Sequence, residues 1–194
     1  MRDQPRQLVL ASTSSYRRTL LERLGLAFEV AAPKCDETPL AGEAAQDTAS
    51  RLAALKAKSL RYPDALVIGS DQVASSGGIR LGKPGNHATA TRQLRTLSGK
   101  AAEFHTAVAL LDTRSGELQQ RIVPCRVVFR TLDERTIEEY LRREQPYDCA
   151  GSAKAEGLGI ALIARIDTED PTSLIGLPLI ALTEMLGRAG LRVV

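Results

Sequence analysis

The 194-residue sequence predicts a mixed α/β fold. An apolar strand at Leu8 to Ala11 runs into an amphipathic helix, Arg17 to Leu24. A second strand and a long helix, Glu43 to Arg61, then lead to Ala65 to Gly69, a continuous apolar run of the kind buried on both faces of a sheet. Later, Glu103 to Leu111 and Leu118 to Arg130 flank Thr113-Arg114-Ser115-Gly116 and read as an antiparallel hairpin. The length suits one domain, residues 1–194, around a single core.

Each element has a local reason. Ser12 to Ser15 end the first strand in hydroxyl groups able to cap a helix, and Leu20, Leu21 and Leu24 share one face of the helix that follows, which Gly25 stops. Ala27 to Ala32 is the second strand, and Pro33 to Pro39 is a proline-bracketed loop carrying Asp36 and Glu37. In the helix from Glu43 to Arg61, Ala45, Ala49, Leu52, Ala53 and Leu60 form one apolar stripe, and Lys56 falls inside it. A lysine there either snorkels its ammonium to the rim of the core or points it into a cleft.

The strand ending at Gly69 gives way to Ser70-Asp71-Gln72, polar groups at the carboxyl end of a buried strand, where α/β proteins commonly bind ligands. A capping aspartate is the plainer reading of Asp71. Ser75 to Gly78 is a hairpin turn, and Lys83 sits between Gly82 and Pro84 in a loop that should fix its direction. Asn86 caps a helix to about Leu97, ended by Gly99, and Asp133 caps another to about Arg143. Pro124 argues for an edge or a bulge in its strand. Asp148 to Gly159 is small, polar and glycine-punctuated, as suits either a ligand loop or a surface connection. Ile160 to Ile166 reads as a strand, and Pro178 opens a last helix bearing Leu179, Leu182 and Leu186.

Composition removes several functions. The net charge of +3 gives no case for a large nucleic-acid surface, and no apolar run approaches the roughly 18 residues of a membrane span. Met1 to Gln7 is polar and no signal peptide. Cys35, Cys125 and Cys149 are odd in number and far apart, against a disulfide framework or a zinc site and in favour of a reducing cytoplasm. What is left is a charge constellation: Arg17 at a helix start suited to anions, the carboxylates Asp36, Glu37 and Asp71, and the lysines Lys56 and Lys83. Carboxylates with constrained cations suggest metal-assisted phosphate chemistry, with surface ion pairs as the alternative.

The sequence resembles the Maf family of nucleoside triphosphate pyrophosphatases along nearly its whole length, through LVLASTSSYRR, DETP at Asp36 to Pro39, the helix containing Lys56, IGSDQV at Ile68 to Val73, and GKP at Gly82 to Pro84. The resemblance implies an elongated mixed central sheet with flanking helices in two lobes around a cleft, often a homodimer. It also implies divalent-metal-dependent hydrolysis between the α- and β-phosphates, with magnesium, manganese or cobalt as the cation. By motif position Asp71 matches the proton acceptor, and Ser12, Arg17, Glu37, Lys56 and Lys83 match cleft residues, with Glu37 and Asp71 expected to hold the metal.

Where the general pattern reads Ser-Pro-Arg-Arg, this chain has Ser14-Ser15-Tyr16-Arg17. An aromatic in place of the first arginine is similar to the branch acting on 7-methyl-GTP, as are CAGSAKAEGLGIAL and LIGLPLIAL. An aromatic face attracts the cationic 7-methylguanine base by roughly 0.5 to 2 kcal/mol, where an arginine repels it. By that resemblance Tyr16, Gln72 and Glu156 are the specificity positions. The expected activity is conversion of 7-methyl-GTP to 7-methyl-GMP and diphosphate, clearing modified nucleotides. The competing readings are a pyrophosphatase for UTP or dTTP, a nucleotide-binding regulator of cell division with weak catalysis, and a nucleic-acid-binding module.

Overall fold

The computed structural model describes residues 6–194. The polar opening stretch, read above as no signal peptide, lies outside them up to Pro5. The elements are β1 (Gln7–Ala11), α1 (Ser15–Glu22), β2 (Glu29–Ala31), α2 (Ala45–Lys58), β3 (Ala65–Ser76), β4 (Ile79–Leu81), α3 (His87–Leu97), β5 (Ala101–Asp112), β6 (Leu118–Phe129), α4 (Glu134–Glu144), β7 (Ile163–Thr168) and α5 (Leu179–Arg188). The strands are hydrogen-bonded in the order β2-β1-β3-β5-β6-β7, with β4 paired to β3. The mixed α/β fold predicted from the sequence is what forms.

The chain divides into two compact units. The first comprises the residues up to Gln72, Thr106–Val123 and Asp170–Val194, and the second Val73–His105 and Pro124–Glu169. In the first unit β1 lies between β2 and β3, parallel to both, with Ala11 opposite Ala31 on one side and Gly69 on the other. Such strands are covered on both faces and need no polar alternation, which is why Leu8 to Ala11 and Ala65 to Ile68 are fully apolar and buried. Their core gathers Leu8, Leu10, Leu66 and Ile68 with Leu20 and Leu21 of α1, Val108 and Leu110 of β5, and Leu182, Met185 and Leu186 of α5. In the second unit, β3 ends in an antiparallel pairing with β4 and β6 pairs antiparallel with β7. Leu94 and Leu97 of α3 and Ile137 and Leu141 of α4 are buried there.

Several boundaries differ from the sequence reading, each for a local reason. Helix α1 starts two residues early because Ser14 is its cap, its hydroxyl accepting the Arg17 N–H. Strand β2 shrinks to three residues because it pairs only with β1. Helix α2 starts at Ala45, since the Glu43 carboxylate folds back to accept from Thr48 Oγ1 and Arg51. Strand β3 continues through Asp71 to Ser76, so the hairpin turn narrows to Gly77 and Gly78, whose φ of 56° and 80° make the mirror-image turn that suits strand twist. Strand β7 begins at Ile163, because the N–H groups of Gly157 and Gly159 both turn back onto the Lys154 carbonyl and hold Leu158–Leu162 in a 3₁₀ turn. Pro124 lies just outside the β6–β7 ladder, which starts at Cys125, and the irregularity in that ladder falls at Val128/Phe129 instead. The three cysteines are free thiols, and none of the described helices is long and apolar enough to cross a membrane.

Candidate active site

The order β2-β1-β3 means that the chain leaves β1 toward β2 through α1 and returns on the other side as β3. The crevice at the carboxyl ends of β1 and β3 is therefore the switch point at which open α/β sheets bind ligands. From β1 the chain passes into Ser12 to Arg17, and from β3, past Gly69, into Ser70, Asp71 and Gln72. The sequence placed its anion-receptive turn and its polar strand end at these two positions.

Successive strand residues point to opposite faces. Asp71 faces α2, because Gly69 lets that helix lie against the strand: a Cβ on Gly69 would stand 2.1 Å from the Ala53 carbonyl oxygen and 2.7 Å from the Ala57 nitrogen. One turn along α2 from Ala53, Lys56 reaches the same face. It is 5% exposed, and its Nζ donates to Asp71 Oδ1 and to Glu37 Oε2, both at 2.7 Å. Of the two readings left open by the helical stripe, the inward-pointing ammonium is the one found. Glu37 arrives from the exposed loop after β2, where Asp36 accepts from the Thr38 N–H and hydroxyl.

Arg17 stands at the first turn of α1. Its Nε donates to the Gly176 carbonyl at 2.8 Å, and its two Nη groups bond to none of the described residues. Burial pulls its pKa below the usual guanidinium value, against the opposing fields of Asp71 and Glu37. It is a half-buried cation with an open fork. Ser12, buried at the end of β1, accepts the Ser14 N–H and so shapes the turn. Tyr16 is half-buried on the same turn of helix. Ser70 and Gln72, on the face of β3 opposite Asp71, meet the 173–176 loop: Ser70 Oγ lies 2.9 Å from the Gly176 carbonyl, and Gln72 Nε2 contacts Thr106, Ser173 and Leu174. The Cys35 thiol is pushed up by burial and by Glu37, which leaves it un-ionised beside the cluster.

The first unit thus brings Ser12, Tyr16, Arg17, Glu37, Lys56, Asp71 and Gln72 to one sheet end. Lys83 and Glu156 belong to the second unit, and both are exposed. The Lys83 loop is held from outside itself. Gln93 Nε2 donates to the Gly82 carbonyl and the Gly85 N–H donates to the Tyr147 carbonyl, whereas Gly82 has open space around its Cα and ordinary backbone angles. Gln93 Oε1 also accepts from the Ser152 hydroxyl, joining that loop to the glycine-punctuated segment. Gln93, Gly69 and Thr106 carry no sequence signal of their own, since each acts through residues distant in the chain.

A carboxylate pair converging on a point already held by an ammonium is a hard-oxygen donor set. It fits a magnesium-type cation, which takes one or two carboxylates and completes its shell with water and phosphate oxygens. Among the described residues no group of three or more histidine, cysteine, aspartate or glutamate side chains is arranged to hold a metal ion.

The chain is similar to curated proteins named 7-methyl-GTP pyrophosphatase. That of Thiobacillus denitrificans is 58% identical over 188 residues, covering 96% of this chain and 94% of the relative. Those of Cupriavidus pinatubonensis and Nitrosospira multiformis are 56% and 55% identical over similar shares. A solved structure described as a HAM1 protein from Coxiella burnetii aligns with a TM-score of 0.44 and 17% identity, covering 80% of this chain and 98% of that one. The family profile described as Maf-like protein matches residues 7–189, and on that match the chain belongs to the Maf family.

Proposed function

We propose that the chain hydrolyses 7-methyl-GTP to 7-methyl-GMP and diphosphate, removing a modified nucleotide from the pool. The observation that carries this is the charge pattern at the switch point. A half-buried arginine fork without an anionic partner stands beside a buried lysine that holds two carboxylates in place. An unneutralised, partly desolvated cation is costly, and a phosphate group is the ligand its planar fork fits. The relatives at 55–58% identity support the choice of reaction and substrate.

In this reading Asp71 Oδ accepts a proton from water while the water oxygen bonds to phosphorus at the α–β bridge. The bridging P–O bond breaks, and the leaving diphosphate takes the electron pair. Lys56 aims Asp71 and Glu37 together, and Arg17 receives charge that grows on the phosphate oxygens. Glu37 and Asp71 would hold a divalent cation, which when bound supplies further neutralisation of that charge. Tyr16 offers its ring to the cationic base. For Lys83 on the triphosphate and Glu156 near the base, the support is their motif positions.

The test is diphosphate release by the purified chain from 7-methyl-GTP, GTP, UTP and dTTP with magnesium, manganese and cobalt. Preference for 7-methyl-GTP is expected. Equal or faster turnover of UTP or dTTP would replace it with a pyrimidine-type activity.

A further inference from the structure

Gln93 is a half-buried residue of α3 whose amide is engaged at both ends by chain outside the helix. Its Nε2 donates to the Gly82 carbonyl at 3.0 Å, and its Oε1 accepts from the Ser152 hydroxyl at 2.5 Å. A carbonyl can only accept, so the NH₂ end must face Gly82, and the hydroxyl, free to turn its proton, then serves the oxygen end. One side chain thus links the loop that carries Lys83 to a turn 59 residues further along the chain than itself.

The Ser152 end of this link is fixed. Ser152 is fully buried with a φ of 58°, and Gly151 before it has a φ of 72°. A serine in the left-handed region is strained and stays there only where its surroundings impose it. The Ser152 N–H donates to the Cys149 carbonyl, and a Cβ on Gly151 would lie 3.6 to 3.9 Å from Phe104, Leu81 and Leu97. The turn therefore packs against the end of β4, which leads directly into Gly82.

The Lys83 end is where the link acts. Lys83 is exposed and its ammonium pairs with none of the described residues, so its direction is set by the backbone from Gly82 to Gly85. After Lys83 that backbone is held by the buried Pro84 and by the Gly85 N–H on the Tyr147 carbonyl at 2.9 Å. Before Lys83 the Gln93 amide takes the carbonyl of Gly82, which is itself exposed with open space around its Cα.

We propose that Gln93 is a positioning residue for the reaction, aiming Lys83 by tying the Gly82 carbonyl to the fixed Ser152 turn. This rests on the reading of Lys83 as a triphosphate contact under the proposed function.

The experiment is a double-mutant cycle on kcat/KM with Gln93→Met, Lys83→Ala and the two combined. Methionine keeps the length and helix propensity of glutamine and carries no amide. Gln93→Met is expected to lower kcat/KM about tenfold and Lys83→Ala about a hundredfold, while the double variant should be no worse than Lys83→Ala, because an absent lysine cannot be misaimed. An equal fall from Gln93→Met with and without Lys83 would show a general structural role and overturn the proposal. Gln93→Glu keeps an acceptor for Ser152 but sets a carboxylate oxygen against the Gly82 carbonyl; it enters the same cycle if Gln93→Met does not fold, and wild-type activity in it would overturn the proposal as well. Full activity in Lys83→Ala would overturn it at its premise, the triphosphate contact. Every candidate nucleotide carries the same triphosphate, so the cycle is run with whichever is hydrolysed fastest, and its result stands even if 7-methyl-GTP is not the preferred substrate.

Discussion

Lys56 shows how much one side chain decides. Its ammonium is the shared partner of Glu37 and Asp71, and with it removed the buried Asp71 carboxylate loses its cation and faces the half-exposed Glu37. Breaking such a set by deleting one partner costs about 3 kcal/mol, because the remaining charges stay where they are. Lys56→Met is expected to lower the urea midpoint accordingly and to cut diphosphate release by about a hundredfold or more. An unchanged midpoint would show that the carboxylates do not depend on the lysine. The helical stripe located Lys56 but left its direction open, because the deciding partner stands fifteen residues on, in another element. Arg17 stood out as a candidate anion-binding residue from its place at a helix start, but its anchor, the Gly176 carbonyl, is 159 residues away and leaves no local trace.

Elements form where local chemistry agrees with the pattern. Ser14, Asn86 and Asp133 cap their helices by accepting from Arg17, Thr89 and Thr136, and all three were recognisable as cap residues beforehand. The closeness of α2 to β3 was not, because a glycine in a strand carries no mark of what approaches it. Gly69→Ala places a methyl group against the backbone of Ala53 and Ala57, which no side-chain rotation relieves. The helix must move off the strand and carry Lys56 away from Asp71. A stability loss of about 2 kcal/mol is expected from the overpacking. Activity should fall further than that loss explains, measured as diphosphate release under conditions in which the variant remains folded. Full activity in a folded Gly69→Ala chain would mean that the Lys56–Asp71 contact does not depend on this packing.

Across the whole molecule, arginine–carboxylate pairs set the response to acid. Hydrogen bonds from Arg51, with Thr48 and the Leu40 N–H assisting, hold the Glu43 carboxyl down to about 2, and hydrogen bonds from Arg6 hold Asp112 below the usual range. Both values are lower in the folded chain than in the unfolded one, so their contribution is complete above the ordinary carboxyl value. It is lost as pH falls toward the folded value. For Glu43 that window runs from about 4.5 down to about 2. Urea midpoints at about pH 6 and about pH 3 should converge in Glu43→Gln relative to wild type. An unaltered acid slope would remove Glu43 from the account. At this scale the sequence showed the α/β class, while the division of the chain into two compact units follows from contacts between distant segments.

The central claim is that Asp71, Lys56, Glu37 and Arg17 together open the bond between the α- and β-phosphates. Its most direct test is product analysis after incubation with 7-methyl-GTP and a divalent cation, for the wild type beside Asp71→Asn. The expected result is 7-methyl-GMP and diphosphate in equal amounts from the wild type, with release at least about a hundredfold slower from Asp71→Asn. Formation of 7-methyl-GDP and orthophosphate, or undiminished release by Asp71→Asn, would contradict it.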